Sequence, residues 1–143
     1  MVIIMRSILN YINILENEGI GQEDEKNINI LLNKLLIRIN SKGLKSLNCD
    51  ELYFMILCFD DKLDTFLNIV GGNDDMTVTR DSDLSKDWVK FDEAFVNRCV
   101  NIINRAVGSY HIEDSDQLIV CLKDIMHIYK EAKQWMTKRG YSI

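Results

Sequence analysis

Apolar side chains return every third or fourth position through most of this chain, and that spacing predicts helices. The clearest case runs from Glu23 to Ser41, where Ile28, Leu31, Leu32, Leu35, Leu36 and Ile39 are spaced 3, 1, 3, 1 and 3. Glu23, Asp24 and Glu25 open this stretch at the positive end of the helix dipole, and Gly43 closes it. An earlier stretch, Val2 to Glu18, repeats Ile4, Ile8, Tyr11, Ile12 and Leu15 before Gly19. Asn48 and Glu51 have the spacing of a capping box, and they open a third helix over 49–70 on Leu52, Met55, Phe59, Leu63, Phe66 and Val70. Periodicity is lost over 71–86, which predicts a long acidic loop with Thr77, Val78 and Thr79 as a short extended piece. A fourth helix is predicted from Ser85 to Val107 on Trp88, Phe91, Phe95, Cys99, Ile102 and Ala106, with Asp83 or Ser85 as its cap and Gly108 as its stop. The fifth runs from Asp114 or Ser115 to Lys138 on Leu118, Cys121, Leu122, Ile125, Ile128, Ala132 and Trp135. The expected fold is all-α: a compact single-domain bundle of about five helices over residues 1–143.

Composition agrees with this pattern. The chain has 143 residues, 47% of them apolar, and no proline where about 5% is usual. That length supports one core of ordinary size. The longest apolar run, Leu52 to Phe59, is eight residues, against roughly 20 for a membrane span, so no membrane insertion is expected. The amino end lacks the basic region and cleavage site of a secretory signal. Ile30, Ile37 and Phe54 lie off the main stripes, which marks either a helix covered on several sides or apolar surface left for a partner. Cys49, Cys58, Cys99 and Cys121 form no CxxC pair and have no histidine at a ligand spacing, so no metal or cofactor is expected. Three of the four fall inside apolar stripes and read as reduced core thiols, which fits a cytoplasmic setting.

Charge narrows the choice of partner. Twenty-two acidic against 17 basic residues give −5, the wrong sign for a chain that grips nucleic acid through its whole surface. Residues 44–95 hold 12 acids and five bases, and the predicted loop sits among them. Asp74, Asp75, Asp81 and Asp83 are therefore the expected partner-facing residues, and the expected partner is a basic protein. Lys123, Lys130, Lys133, Lys138 and Arg139 gather on the last helix, so a second copy would also find complementary poles.

Chemical motifs are few. Asp81, Asp83, Ser85 and Asp92 fall at positions 1, 3, 5 and 12 of a calcium-loop register, which fails at position 6, where Lys86 replaces the required glycine. The pair Gly71-Gly72 lacks the Lys-Ser or Lys-Thr of a phosphate loop, and GxSxG and HExxH are missing. His127, one turn from Glu131, reads as a surface histidine. Arg105 and His111, five residues between them, resemble the Arg-x(4 to 6)-His element of HEPN ribonucleases. That resemblance implies an RNA-cleaving dimer in which arginine stabilises a phosphorane and histidine moves a proton. Ala106 stands where that family has a polar residue, and Gly108 interrupts the segment. Gln134, Trp135, Met136 and Gly140 resemble the helix end of Bcl-2-like proteins, which implies a viral signalling inhibitor; the Asn-Trp-Gly-Arg segment of that family is missing. The residues themselves favour a non-catalytic helical protein-binding module, either a small acidic inhibitor or immunity-type protein or a helical subunit of an assembly.

Overall fold

The structure is a computed structural model and describes residues 8–17, 19–71 and 83–141. Of these, 88% are helical, and no strand occurs among the described residues. Helices α1 (Ile8–Glu16) and α2 (Gln22–Lys42) are followed by a single 3-10 turn at Leu44–Ser46 and by α3 (Cys49–Val70). Helix α4 (Asp83–Phe91) passes through a π-helical turn, Asp92–Val96, directly into α5 (Asn97–His111), so the two form one rod. Helix α6 (Ser115–Lys138) completes the bundle of five rods. The expected extended piece at Thr77–Thr79 lies outside the described residues, as do the first six residues of the predicted first helix and its end at Glu18.

Helix α3 is the axis of the fold. All eight side chains from Leu52 to Phe59 are buried, which requires cover on every side. Helix α6 supplies the most extensive contact, α1 and α5 flank it, and α2 and α4 complete the cover. Each large apolar side chain buried this way contributes about 1.5–3 kcal/mol. Phe54 is thus explained by a central helix. Ile30 and Ile37 are not, since they are 45% and 67% exposed on the outer face of α2. The predicted capping box is present: Asn48 Oδ1 accepts from the Glu51 N–H at 2.8 Å, and Glu51 Oε1 accepts from the Asn48 N–H at 3.0 Å. Glu51 also receives Arg38 on both oxygens at 2.9 and 2.8 Å, which ties α2 to the start of α3.

The fourth rod departs from the expected pattern at three places. It starts at Asp83, inside the segment expected to be loop, so neither Asp83 nor Ser85 precedes the helix as a cap. Trp88, expected in the core, is 41% exposed; its ring instead lies against Gly71, where a Cβ would meet Cδ1 at 2.5 Å. The core begins one turn later with Phe91, Phe95 and Cys99. Two successive spacings of four drift off one face of an α-helix, and the π turn, in which the Asn97 N–H reaches back to the Asp92 carbonyl, restores alignment. Finally, the helix does not stop at Gly108. Glycine inside a helix costs about 1 kcal/mol relative to alanine, and burial of Ala106 and Ser109 with the docking of Tyr110 holds the last turn.

The true stop is Glu113, with φ of +54°. Its N–H donates to the Tyr110 carbonyl at 3.2 Å, and the Asp114 N–H donates to the Ser109 carbonyl at 2.9 Å. This is a Schellman closure with glutamate in the left-handed position. Helix α6 ends by the same pair of bonds, from Gly140 to Thr137 and from Tyr141 to Met136, with glycine at φ +84° where the geometry prefers it. Trp135, next to that end, packs edge-on to Phe91 and Phe95 and is covered by Arg139 at 4.2 Å. All four cysteines are free; Cys58, Cys99 and Cys121 are buried and Cys49 is half-buried.

Denaturant unfolding checks the ends of α5 and α3. Glu113→Gly is expected to stabilise the protein by up to about 1 kcal/mol through relief of left-handed strain, whereas Gly71→Ala is expected to cost about 1–3 kcal/mol because Trp88 must shift. A thiol reagent is expected to modify Cys49 first in native protein and all four cysteines in denaturant without reductant; fewer equivalents would reveal a disulfide.

Candidate functional site

Helix α3 carries its apolar run to Phe59 and then presents Asp60, Asp61 and, one turn on, Asp64. Positions 53, 57, 60, 61, 64, 67 and 68 recur every third or fourth residue and share a side of the helix. That side lines a cleft of about 710 Å³. Ile103 and Val107 of α5 form the facing wall, while Leu15 and Glu16 at the end of α1 and Ile20 in the following turn close one end. The lining alternates between apolar groups and four carboxylates, those of Glu16, Asp60, Asp61 and Asp64. Among the described residues it contains no lysine, arginine or histidine.

The hydrogen bonds that Glu16 and Asp60 accept come from neutral groups. Tyr53 Oη donates to Glu16 Oε2 at 2.8 Å, and Cys99 Sγ donates to Asp60 Oδ1 at 3.0 Å. Burial holds the Asp60 carboxyl above the ordinary carboxylate range, with the Cys99 bond opposing it. Asp61, more exposed at the rim, shifts the same way through partial desolvation of its carboxyl and repulsion from Asp60 and Glu25, with Lys62 opposing. The Cys99 thiol is pushed up, first by burial and then by Asp60. A protonated, buried thiol is the opposite of an activated nucleophile. Tyr53 is likewise pushed up by burial and by Glu16. Its ring stacks on Tyr110 at 4.2 Å, and Tyr110 Oη donates to Asp50 Oδ1 at 2.6 Å, with burial and Asp50 raising its phenol to about 12. Both phenols act as fixed donors at neutral pH. The arrangement places four carboxylates among apolar walls, with the thiol bonded to Asp60 held protonated.

Of the residues expected at the partner surface, Asp74, Asp75 and Asp81 lie outside the described residues, and Asp83 is the first residue of α4, with its side chain outside the described set. The carboxylates of that acidic segment that the structure brings together are Asp60, Asp61 and Asp64. Residues Asp83–Phe91 are helical, so the calcium-loop register forms no loop. Among the described residues no group of three or more His, Cys, Asp or Glu side chains is placed to hold a metal ion, and no helix is long and apolar enough to cross a membrane. Arg105 and His111 do not meet. Arg105 lines a hollow with Arg98, Asp124 and His127 and pairs with Asp124 at 2.9 Å, whereas His111 lines another with Cys49, Asp50 and Glu113. Six positions on one helix place them about 9 Å apart along the axis and on different sides. His127 is on the surface, as expected, with Nε2 2.7 Å from Glu131 Oε1; Glu131 also receives Arg98 at 2.8 Å, which with His127 lowers its carboxyl.

Sequence reasoning passed over Glu16 and Tyr53, which line the cleft, and Cys99, which is bonded to Asp60. The available signal was Asp60, Asp61 and Asp64 interrupting an otherwise apolar helix at i, i+1 and i+4. Comparison with protein-family models, with curated proteins and with solved structures finds no significant match to this chain.

The raised Asp60 carboxyl has a definite sign in stability. Its native value lies above its unfolded one, so the folded state binds the proton more tightly, and stability falls as pH rises from the ordinary carboxylate range through the raised value. Asp60→Asn keeps an acceptor for Cys99 and removes the charge. Thermal melts followed by circular dichroism should show the variant melting higher than the parent at about pH 7, with the gap narrowing toward about pH 4. A variant that melts lower at neutral pH would mean that Asp60 is compensated by a positive charge.

Proposed function

We propose that this chain is a non-catalytic binding module that docks a basic segment of a partner protein in the cleft between α3 and α5. The observation that carries this reading is the lining: four carboxylates among apolar walls, with Glu16 and Asp60 hydrogen-bonded by neutral donors. A partly desolvated carboxylate is stabilised by an opposite charge brought to it. Apolar walls favour a ligand that brings apolar side chains as well. The net charge of −5, with Asp74, Asp75, Asp81 and Asp83 contributing, steers a basic protein toward the surface and raises its association rate by about 10- to 1,000-fold at low salt. Such a chain serves as a small acidic inhibitor or immunity-type protein, or as a helical subunit of an assembly, in a cytoplasmic setting that keeps its four thiols reduced. The RNA-cleaving alternative gains nothing from the geometry, because Arg105 is engaged by Asp124 and lines a different hollow from His111.

The test is titration of isotope-labelled protein with a lysine-rich peptide, followed by amide chemical shifts. Shifts are expected to cluster on residues 53–68 and 103–107. Association should slow and its salt dependence flatten when Asp60 and Asp61 are changed to Asn, and to a smaller extent when Asp74, Asp75, Asp81 and Asp83 are. Shifts confined to the face bearing Arg98 and His127 would overturn the reading. So would RNA cleavage that disappears in Arg105→Ala or His111→Ala protein.

A further inference from the structure

We propose that the segment docked in the α3–α5 cleft is an amphipathic α-helix of about four turns, with lysine or arginine side chains two turns apart along the edge of its apolar stripe. This rests on the reading of that cleft as the docking surface. The walls of the cleft are helices, whose backbone N–H and C=O groups are already committed within themselves. An extended segment laid there would find no backbone partners, whereas a helix brings its own. The length follows from α3: Tyr53 and Asn68 bound the cleft, and their 15 intervening rises of 1.5 Å give about 22 Å, or about four helical turns. The second wall has the matching form. Ile103 and Val107 line the cleft, and Val96 and Val100 continue the same row, spaced 4, 3 and 4, along the rod beyond it; Val100 and Val107 are 51% and 36% exposed, so a ridge of apolar side chains is available to a third helix. The charges set the spacing. Glu16 is fixed by Tyr53 at one end of the cleft, while Asp60 and Asp61 lie seven and eight positions beyond Tyr53, about 11 Å along the α3 axis, which matches cations at i and i+7 of the incoming helix.

The experiment uses the full chain and four synthetic peptides, with binding read by fluorescence anisotropy and helicity by circular dichroism. One peptide carries an apolar stripe with lysines at i and i+7; the second is a scramble of identical composition without helical period; the third replaces the lysines by glutamates; the fourth is the plain lysine-rich peptide. The first is expected to bind at least tenfold tighter than the second and third and to gain helix on binding. The double variant Asp60→Asn, Asp61→Asn should lose about tenfold or more of that affinity, while Glu113→Gln with Asp116→Asn, which removes equal charge outside the cleft, should change it less than twofold. If the scramble binds as tightly as the helical peptide, the helix is wrong and the reading of a basic segment in the cleft stands. If no basic peptide binds, or the two double variants behave alike, the cleft reading itself falls. Binding that appears only after removal of residues 1–7 would assign the cleft to the chain's own amino end, and a dimer in sedimentation that the peptide fails to dissociate would assign it to a second copy; either result overturns the proposal.

Discussion

Leu52 to Phe59 is buried on every side, and a helix with no exposed face can exist only where other helices surround it. That demand arranges the remaining elements. Helices α1, α5 and α6 are drawn against α3, the Asn48–Glu51 box fixes where α3 begins, and Arg38 fastens α2 to the same box. The cover is complete for two turns and then opens. Asp60 and Asp61 stand where it opens, so the cleft is the place where the central helix changes from fully enclosed to half-exposed, and its carboxylates inherit part of the dryness of the core behind them.

The electrostatic character of the cleft follows from that position. A carboxylate on an open surface is surrounded by water, and at physiological salt its charge is largely screened beyond about 8 Å. Asp60 instead is half-buried and accepts from the Cys99 thiol, while Glu16, which is exposed, accepts from the Tyr53 phenol. Neutral donors orient these oxygens without cancelling their charge. The pairs Arg98–Glu131, His127–Glu131 and Arg105–Asp124 lie outside the cleft on an exposed face, where each contributes at most about 1 kcal/mol.

The helical content was readable from periodicity, because burial on one face imposes a 3.6-residue repeat that no other element shares; the central place of α3 was not, because a run such as Leu52 to Phe59 is consistent with either cover on several sides or spare apolar surface. The core stripe of α6 was readable for the same reason, with Met136 buried in place of Trp135. What periodicity does not carry is a change of winding. Phe91, Phe95 and Cys99 look like one face whether or not a π turn lies between them, and Trp88 fits that stripe on paper while it leans on Gly71 in space. Glycine misled in the same way: Gly108 looked like a stop and Glu113 did not, since the left-handed residue was imposed by the closure between α5 and α6 and not by its own preference. The candidate site was only partly legible. Carboxylate density pointed to residues 44–95 as a region, but the Tyr53–Glu16 and Cys99–Asp60 bonds join residues 37 and 39 apart in sequence, and one helix pattern contains no record of its neighbours.

The π turn at Asp92–Val96 works as a gear between the two ends of one rod. Wound as ordinary α-helix, these five residues would leave everything beyond them rotated by about 100°. The Cys99 thiol would leave Asp60, Ile102 and Ala106 would leave the core, and Ile103 and Val107 would leave the cleft wall. Loss of one residue inside the turn lets it tighten to α winding while the downstream face stays where it is. Loss of one residue farther along α5 rotates the rest of that face out of register. A one-residue deletion in this rod is therefore tolerated at one address, and one made farther along would re-aim the wall of the cleft.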